Sequence, residues 1–435
     1  MDSGIPVEEF KYKRKKIRYS FRWFAYVLGA IGFMFTIFHR VNSAVLAPYI
    51  IETFQASGAT LGLMSGIYFY VYSLSQPMIG ILVDRLKPKK MLTLSVLMIS
   101  LGTFAFAFAP SIMIIYLGRF LIGAGCAGIF IPVTWIISKY FPFKQSGFLL
   151  FMVQFVGNIG SIMAAAPLAN LISWLGWKDA LIVIGFISIV LGIMIWITVK
   201  DSNGSSLQNN AEYTKKKTET DRNWFSIIQE LYKMPIIKYC LLSSLTYASM
   251  LSFQGLWVVP YLMDVYRIGN INASSMATSI PTGYVIGLLL FSKVSDTKYG
   301  KYIYFSANVF ITIVYLSLAL FLENIPTHLI SMMLFIIGIS NGASPFLMKI
   351  YNLILPKKYF GTALGIVNTI PFLLTAIYQS FSGYLFDVFG GTDLLRRSLL
   401  SYRVYYLFLT ISLIVGSWAV FKILTILRVK YKDMI

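Results

Sequence analysis

The chain has 435 residues, of which 57% are hydrophobic and only 12% are charged, and its mean hydropathy is +0.72. Soluble domains carry roughly 25% charged residues, so this composition excludes an ordinary water-soluble protein. The formal net charge of +20 would suit nucleic-acid binding only if the basic residues formed one patch, and they do not.

Twelve apolar stretches follow one another along the chain, each near the ~20 residues that a membrane-spanning helix needs. Helices are expected, because hydrocarbon leaves backbone polar groups no partner outside their own segment. The predicted spans are Trp23–Ile50, Gly58–Leu82, Met91–Ala109, Ser111–Ser138, Gly147–Ile172, Ala180–Val199, Ile237–Leu262, Ala273–Phe291, Tyr302–Leu322, Leu329–Ile350, Gly361–Phe386 and Tyr402–Leu427. We therefore predict an all-α membrane protein with 12 transmembrane helices.

The basic residues lie in alternate loops. By count, 28 of the 37 Lys and Arg residues fall in the termini and in every second loop, and the intervening loops hold five. This positive-inside pattern predicts that both termini are cytosolic, and it argues against a nucleic-acid partner. The predicted organisation is a basic cytosolic N-terminus at 1–22, a six-helix bundle at 23–199, a polar cytosolic linker at 200–236, a second six-helix bundle at 237–427 and a cytosolic tail at 428–435.

The two predicted bundles resemble each other in sequence. Asp84 follows the second span and Asp296 follows the eighth, 212 positions later, while Pro142 recurs as Pro356 after 214 positions. Internal repeats of this kind are typical of transporters that hold a solute near the membrane midplane between two halves.

The loop after the second span reads GILVDRLKPKK, from Gly80 to Lys90. It resembles the hallmark loop of the major facilitator superfamily, in which a small residue allows close helix approach and an acidic residue latches a neighbouring helix. Lys87 stands where that family usually has glycine. The resemblance implies a gating motif made of Gly80, Asp84, Arg85, Lys89 and Lys90, with Asp296 as the counterpart in the second half.

The fourth span contains LGRFLIGAG, which resembles the fourth-helix motif of the same superfamily. Gly123 and Gly125 suit tight helix packing. A charged residue in the membrane is costly, so Arg119 is expected to face the bundle interior or a cavity. A structural tie from Arg119 to backbone carbonyls remains an equal alternative.

Arg40 and His39 lie deep in the first span and point most directly to chemistry. A permanent guanidinium charge at this depth needs an anion. The predicted spans contain no Asp or Glu, so a substrate anion is the favoured partner, while carbonyls, cavity water or a helix-end carboxylate stay open. His39 is a candidate proton carrier, although neighbouring residues point about 100° apart on a helix, so only one of the two is expected to face a cavity.

The first two helices resemble those of bacterial organic-anion and sugar-phosphate permeases, which have a binding arginine in helix one. Sugar-phosphate exchangers have a second arginine in helix seven, and Ile237–Leu262 has none, so a phosphate clamp is in doubt. The substrate-binding candidates besides Arg40 are Tyr68, Tyr72, Gln154, Asn158, Gln254, Trp257, Asn341, Asn368 and Gln379, with Trp135, Tyr284 and Tyr378 as further lining candidates.

These observations predict a secondary active or facilitative transporter that moves a small, anionic organic solute by alternating access. The alternatives are an uptake permease for amino acids, dipeptides or siderophores, an exporter of amphipathic compounds, and a transport-silent solute sensor. No enzyme motif, cofactor loop or metal cluster is evident in the sequence. The expected partners are the solute and the lipid bilayer, and we expect a monomer in a bacterial inner membrane.

Overall fold

The computed structural model describes residues 19–199, 224–294, 299–355, 360–390 and 397–430. All regular secondary structure in these ranges is helical, which confirms the predicted all-α membrane fold. The helices are α1 (Tyr19–Val41), α2 (Ser43–Phe54), α3 (Gly58–Ala107), α4 (Ile112–Ala127), α5 (Phe130–Tyr140), α6 (Phe143–Met163), α7 (Ala166–Leu175), α8 (Trp177–Thr198), α9 (Trp224–Lys233), α10 (Pro235–Ser252), a π-helical turn (Phe253–Trp257), α11 (Val258–Tyr266), α12 (Asn270–Ala277), α13 (Ser279–Val294), α14 (Gly300–Phe321), α15 (Thr327–Asn341), α16 (Pro345–Ile354), α17 (Phe360–Phe389) and α18 (Leu399–Lys430).

Helix covers each of the twelve predicted spans, and several spans consist of two helices joined by a break. Within the described ranges, nine helical segments are long and apolar enough to cross a membrane. The remaining predicted crossings include the α15 segment, which is only 15 residues long. The protein is thus a multi-pass membrane protein, while the number of twelve crossings stays a prediction.

The α3 helix combines the second and third predicted spans, and the chain turns between them at Lys87. This residue has φ of 61° and ψ of 155°, and it interrupts the helical backbone. A positive φ is unfavourable for a residue with a side chain and easy for glycine. This conformation explains why glycine would suit this position, and the lysine adopts it at a cost in backbone energy.

The chain crosses back and forth, so its loops gather at two ends of the bundle. We call the end with the start of α1 and the loop at Lys87 the basic end, and the other, which carries α2 and residues 55–57, the opposite end. The predicted linker falls partly on α9 and partly on residues 200–223, which lie outside the described residues.

The two halves touch backbone to backbone where α3 runs along α17. A Cβ on Gly62 would collide with the carbonyl oxygen of Gln379, and a Cβ on Gly383 would collide with the carbonyl oxygen of Gly58. Glycine is therefore required at these crossings, as in other close helix contacts in membranes. This contact holds the halves together toward the opposite end.

Candidate functional site

The Arg40 guanidinium lies between two aromatic rings that come from different halves of the protein. Its Cζ is 5.2 Å from the centroid of the Tyr72 ring in α3 and 4.8 Å from that of Phe372 in α17. The residue is only 5% exposed, and its Nε has no hydrogen-bond partner in the described part of the chain. Both faces of the cation are thus covered by rings, and hydrogen bonding is left to the edge of the group.

Arg40 also lines a cavity of about 40 Å³ at the boundary between the halves. Since one water needs roughly 10–15 Å³ of such volume, the cavity has room for a few water molecules but not for an organic solute. The lining residues are Ile37, Arg40, Val41, Gln154, Asn158, Ser161, Tyr247, Met250, Leu251, Gln254, Pro281 and Tyr284.

None of the described residues that line this cavity is acidic. Two ion pairs elsewhere in the described part of the chain join Asp264 to Arg397 and Glu323 to Arg403, and neither involves Arg40. A buried cation without a carboxylate is unfavourable. The site is therefore suited to an anion, which would compensate the charge and hydrogen-bond the guanidinium edge.

Amide side chains are three of the six other polar residues that line the cavity. Gln254 Nε2 donates to Ser161 Oγ at 2.8 Å, and this bond crosses from the second half to the first. Asn158 Nδ2 donates to the carbonyl oxygen of Gln154 at 2.8 Å, and the Gln154 side chain is exposed although it lines the cavity. The structure thus brings Arg40 together with three of the predicted amide residues.

Tyr68 and Tyr72 stack with ring centroids 6.0 Å apart. Tyr68 is buried, and its hydroxyl donates to the carbonyl oxygen of Thr36 at 3.0 Å. Neither tyrosine belongs to the lining of the small cavity. Tyr72 touches the site through the face of Arg40, and Tyr68 lies behind Tyr72 as its support.

Gln379 on α17 is fully buried, and neither atom of its amide has a hydrogen-bond partner among the described residues. A Cβ on Gly255, in the π-helical turn, would lie 2.9 Å from Gln379 Nε2 and 3.4 Å from the carbonyl oxygen of Arg40. The unpaired amide is thus near the backbone of Arg40, on the side of the second half. Gly255 leaves the space that the amide occupies.

The other candidates of the second half lie elsewhere. Trp257 packs against Phe386 at 4.3 Å between centroids and donates from its indole nitrogen to Ser382 Oγ at 2.6 Å. Asn341 donates to the carbonyl oxygen of Ile337 within its own helix. Asn368 is half-buried on α17. None of these three lines the cavity around Arg40.

His39 and Arg119 form a separate buried group on the other face of α1. Arg119 donates to the carbonyl oxygen of His39 at 3.0 Å, to Asn42 Oδ1 at 3.1 Å and to the hydroxyl of Ser43. His39 Nδ1 lies 3.4 Å from Asn42 Nδ2. Arg119 thus fastens α4 to the break between α1 and α2, and Arg40, not His39, faces the cavity. A proton-carrying role for His39 stays a prediction.

The predicted glycines of the fourth span serve packing. A Cβ on Gly123 would lie 2.8 Å from the carbonyl oxygen of Tyr68, and one on Gly125 would lie 2.5 Å from that of Ser95. Both positions therefore place α4 against the backbone of α3.

The gating motif is described only in part. Gly80, Asp84 and Arg85 are in α3, but the side chains of Asp84 and Arg85 and the surroundings of Gly80 lie outside what the structure describes, as does the whole of Asp296. Lys89 Nζ lies 4.3 Å from the Trp196 ring, and Lys90 is exposed. A latch at the basic end stays a prediction.

Several residues of the site were not predicted from the sequence. Phe372 and Tyr247 are aromatic residues in apolar helices, where packing is the ordinary interpretation, and Ser161 is a small residue in an apolar helix. Their sequence neighbourhoods carry no signal of a cavity. Tyr284, which the sequence does suggest, is in the lining.

Similarity to known proteins agrees with this architecture. The sequence profile described as "Major Facilitator Superfamily" matches residues 23–370. A probable sulfoacetate transporter of Cupriavidus necator is 24% identical over 85% of this chain and 88% of its own length. A gentisate transporter of Corynebacterium glutamicum is 26% identical over 77% of this chain and 75% of its own length.

The fold also matches solved structures. The crystal structure of a D-xylose-proton symporter superposes with a TM-score of 0.74 at 14% identity, over 92% of this chain and 97% of that one. A sequence profile that spans most of the chain, together with the observed membrane fold, establishes the family. The chain belongs to the Major Facilitator Superfamily, a family of membrane transporters, and is not an enzyme.

Proposed function

We propose that the protein moves a small organic anion across the membrane by alternating access, with Arg40 as the anchor of the anionic group. The observation that carries the proposal is a buried guanidinium at the boundary of the halves, in a cavity whose described lining holds no carboxylate. A bound anion supplies the charge that the protein lacks there.

The lining also limits the kind of anion. Arg40 is the one charged residue among the described residues of the cavity, and its neighbours there are amides and tyrosines. A phosphate ester would call for more positive charge, whereas a carboxylate or sulfonate can be held by one guanidinium. Gentisate has one carboxylate, as this class requires, whereas sulfoacetate is a dianion; both names support an organic anion as the solute.

We assign roles to the remaining candidates by whether they line this cavity or contact Arg40. Gln154, Asn158 and Gln254 would hydrogen-bond the solute directly, since they line the same cavity. Tyr72 would hold the guanidinium in place, and Gln379 would pair with the solute from the second half. A solute between Arg40 and Gln379 would contact both halves at once, as alternating access requires.

The small volume of the cavity also supports alternating access. At about 40 Å³ it must widen before a solute enters. The halves are tied toward the opposite end, where Asn270 Nδ2 donates to the carbonyl oxygen of Val45 at 3.1 Å. Opening toward the opposite end would thus require this contact to break, since alternating access opens the two ends in turn.

The proposal is tested by counterflow in proteoliposomes. Vesicles loaded with unlabelled gentisate or sulfoacetate are diluted into the labelled compound, and wild type is compared with Arg40→Gln. We expect wild type to accumulate label and Arg40→Gln to fail. Arg403→Gln, which removes an exposed arginine from an ion pair with Glu323, should behave as wild type.

The same vesicles are then loaded with the uncharged amide of gentisate, an amino acid or a dipeptide. Counterflow of these compounds with no flux of either anion would refute anion transport and favour the uptake alternatives. Binding of an anion without flux would refute the transporter mechanism and favour a sensor.

A further inference from the structure

A second buried charged group lies at the opposite end of the second half, apart from the Arg40 cavity. Asp264 is 9% and Arg397 is 6% exposed at the side chain, and Arg397 Nη1 lies 3.4 Å from Asp264 Oδ2. The hydroxyl of Tyr402 donates to the same oxygen at 2.7 Å. From the sequence, Asp264 is expected beyond the seventh span, but α11 continues to Tyr266 and buries it.

Opposing forces act on the charge of Asp264. The carboxylate lies in the last turn of α11, where the helix presents its own unpaired carbonyl groups, and it is removed from water. Arg397 and Tyr402 act the other way, because both donate to the carboxylate. The charge on Asp264 and the position of Arg397 are thereby tied to each other.

Arg397 is the cation that pairs with Asp264, whereas Arg267, which caps the C-terminus of α11, is exposed. Helix α2 carries Glu52 and Tyr49, and Glu52 is exposed, while α12 has no titratable side chain. On α11 itself, Tyr261 and Tyr266 are in edge contact with each other at 5.8 Å.

Arg397 connects this carboxylate to the end of α17. Its Cζ lies 5.0 Å from the centroid of the Trp257 ring and 5.6 Å from that of Phe386. These two rings pack on each other, so the guanidinium completes a compact group. The position of the last turns of α17 thus depends on Arg397, and Arg397 depends on Asp264.

The next residue of α17 joins the two halves. Asp387 accepts a hydrogen bond from the backbone nitrogen of Gly58 at 2.6 Å through Oδ1 and one from that of Ala59 at 2.9 Å through Oδ2. These are the first amides of α3, where a carboxylate is favoured by the helix dipole. We call this contact the α17–α3 latch.

We propose that Asp264 is a proton-binding site whose protonation releases the α17–α3 latch. A proton from the opposite side of the membrane neutralises the carboxylate, and Arg397 then loses the charge that holds it against Trp257 and Phe386. The end of α17 becomes free to move, and Asp387 leaves the amides of Gly58 and Ala59. The proposal rests on the proposed alternating access and not on the solute being an anion.

The test measures the distance between the halves as a function of pH, in the full chain and without solute. Spin labels are placed on cysteines introduced at two exposed positions of the opposite end, Thr53 on α2 and Leu400 on α18. The native Cys126 and Cys240 are buried. In wild type we expect the labels to separate as the pH is lowered from neutral to acidic.

The decisive variant is Asp264→Asn, which keeps the shape and removes the charge. We expect it to show the separated distance at neutral pH, with an open fraction at least about tenfold that of wild type, because loss of one partner of a buried ion pair is strongly unfavourable. The matched control is Glu323→Gln. It removes an exposed carboxylate that pairs with Arg403 on α18, and this variant should keep the wild-type pH response.

A wild-type pH response in Asp264→Asn, or no response in wild type, would overturn the proposal. Neither result would contradict the proposed transport of anions, which the counterflow assay tests separately. If Asp264→Asn does not fold, Tyr402→Phe serves instead. This variant removes one donor to the carboxylate and leaves the ion pair. The labels should therefore still separate on acidification, but at a different pH. An unchanged pH of separation in Tyr402→Phe would also overturn the proposal.

Discussion

The two buried arginines of the first half should respond in opposite ways to replacement by methionine, which keeps a similar volume without charge. Arg40 has aromatic partners and no described carboxylate. Arg119 donates to three acceptors around the break between α1 and α2. We expect Arg40→Met to affect solute binding and Arg119→Met to affect stability.

The magnitudes follow from these contacts. Arg40→Met loses two cation–π contacts, each ~0.5–2 kcal/mol, and is relieved of a buried charge whose penalty is several kcal/mol. The two effects offset each other, so the solute-free protein should be as stable as wild type to within about 1 kcal/mol. Arg119→Met is relieved of the same penalty but leaves three buried acceptors unpaired at ~1–3 kcal/mol each, so it should be less stable than Arg40→Met by about 2 kcal/mol or more.

The assay is thermal unfolding in detergent with and without gentisate or sulfoacetate. A ligand at 100 times its Kd stabilises the folded state by ~2.7 kcal/mol. This increment should be present in wild type and absent in Arg40→Met. The reasoning is refuted if Arg40→Met is much less stable than wild type without solute, or if the anion still stabilises it.

Three further substitutions test the contacts around the site. Gly383→Ala should destabilise the protein by ~1–3 kcal/mol through overpacking. Gly147→Ala should not, because a Cβ there would meet nothing within 4 Å. Equal melting temperatures of the two variants would contradict the close contact of the halves. Gly255→Ala should displace the Gln379 amide, 2.9 Å from the new Cβ, and raise the KM for counterflow; an unchanged KM would remove Gln379 from the site. Phe372→Leu should weaken anion binding by ~0.5–2 kcal/mol and Phe372→Tyr should not, as titration calorimetry would show; equal affinities would exclude the ring as a partner of the cation.

Part of the site could be predicted because an arginine in a long apolar segment is costly wherever the segment packs. That reasoning finds both Arg40 and Arg119 but does not tell them apart. The difference arises because Arg119 meets a carbonyl, an amide and a hydroxyl at a helix break, while Arg40 meets two rings. The predicted Trp257 packs against Phe386 and does not line the Arg40 cavity, so its contact with the solute stays a prediction.

The membrane fold and the approximate positions of its helices are predictable from hydropathy alone, because each apolar segment partitions into lipid independently of its neighbours. The internal repeat stays a prediction. The tertiary structure decided which side chains meet. Phe372 covers Arg40, Asp387 reaches Gly58, and Arg397 holds Asp264, and each pair is far apart in the chain. The physical reason is that such contacts depend on how the two halves pack, which hydropathy does not encode.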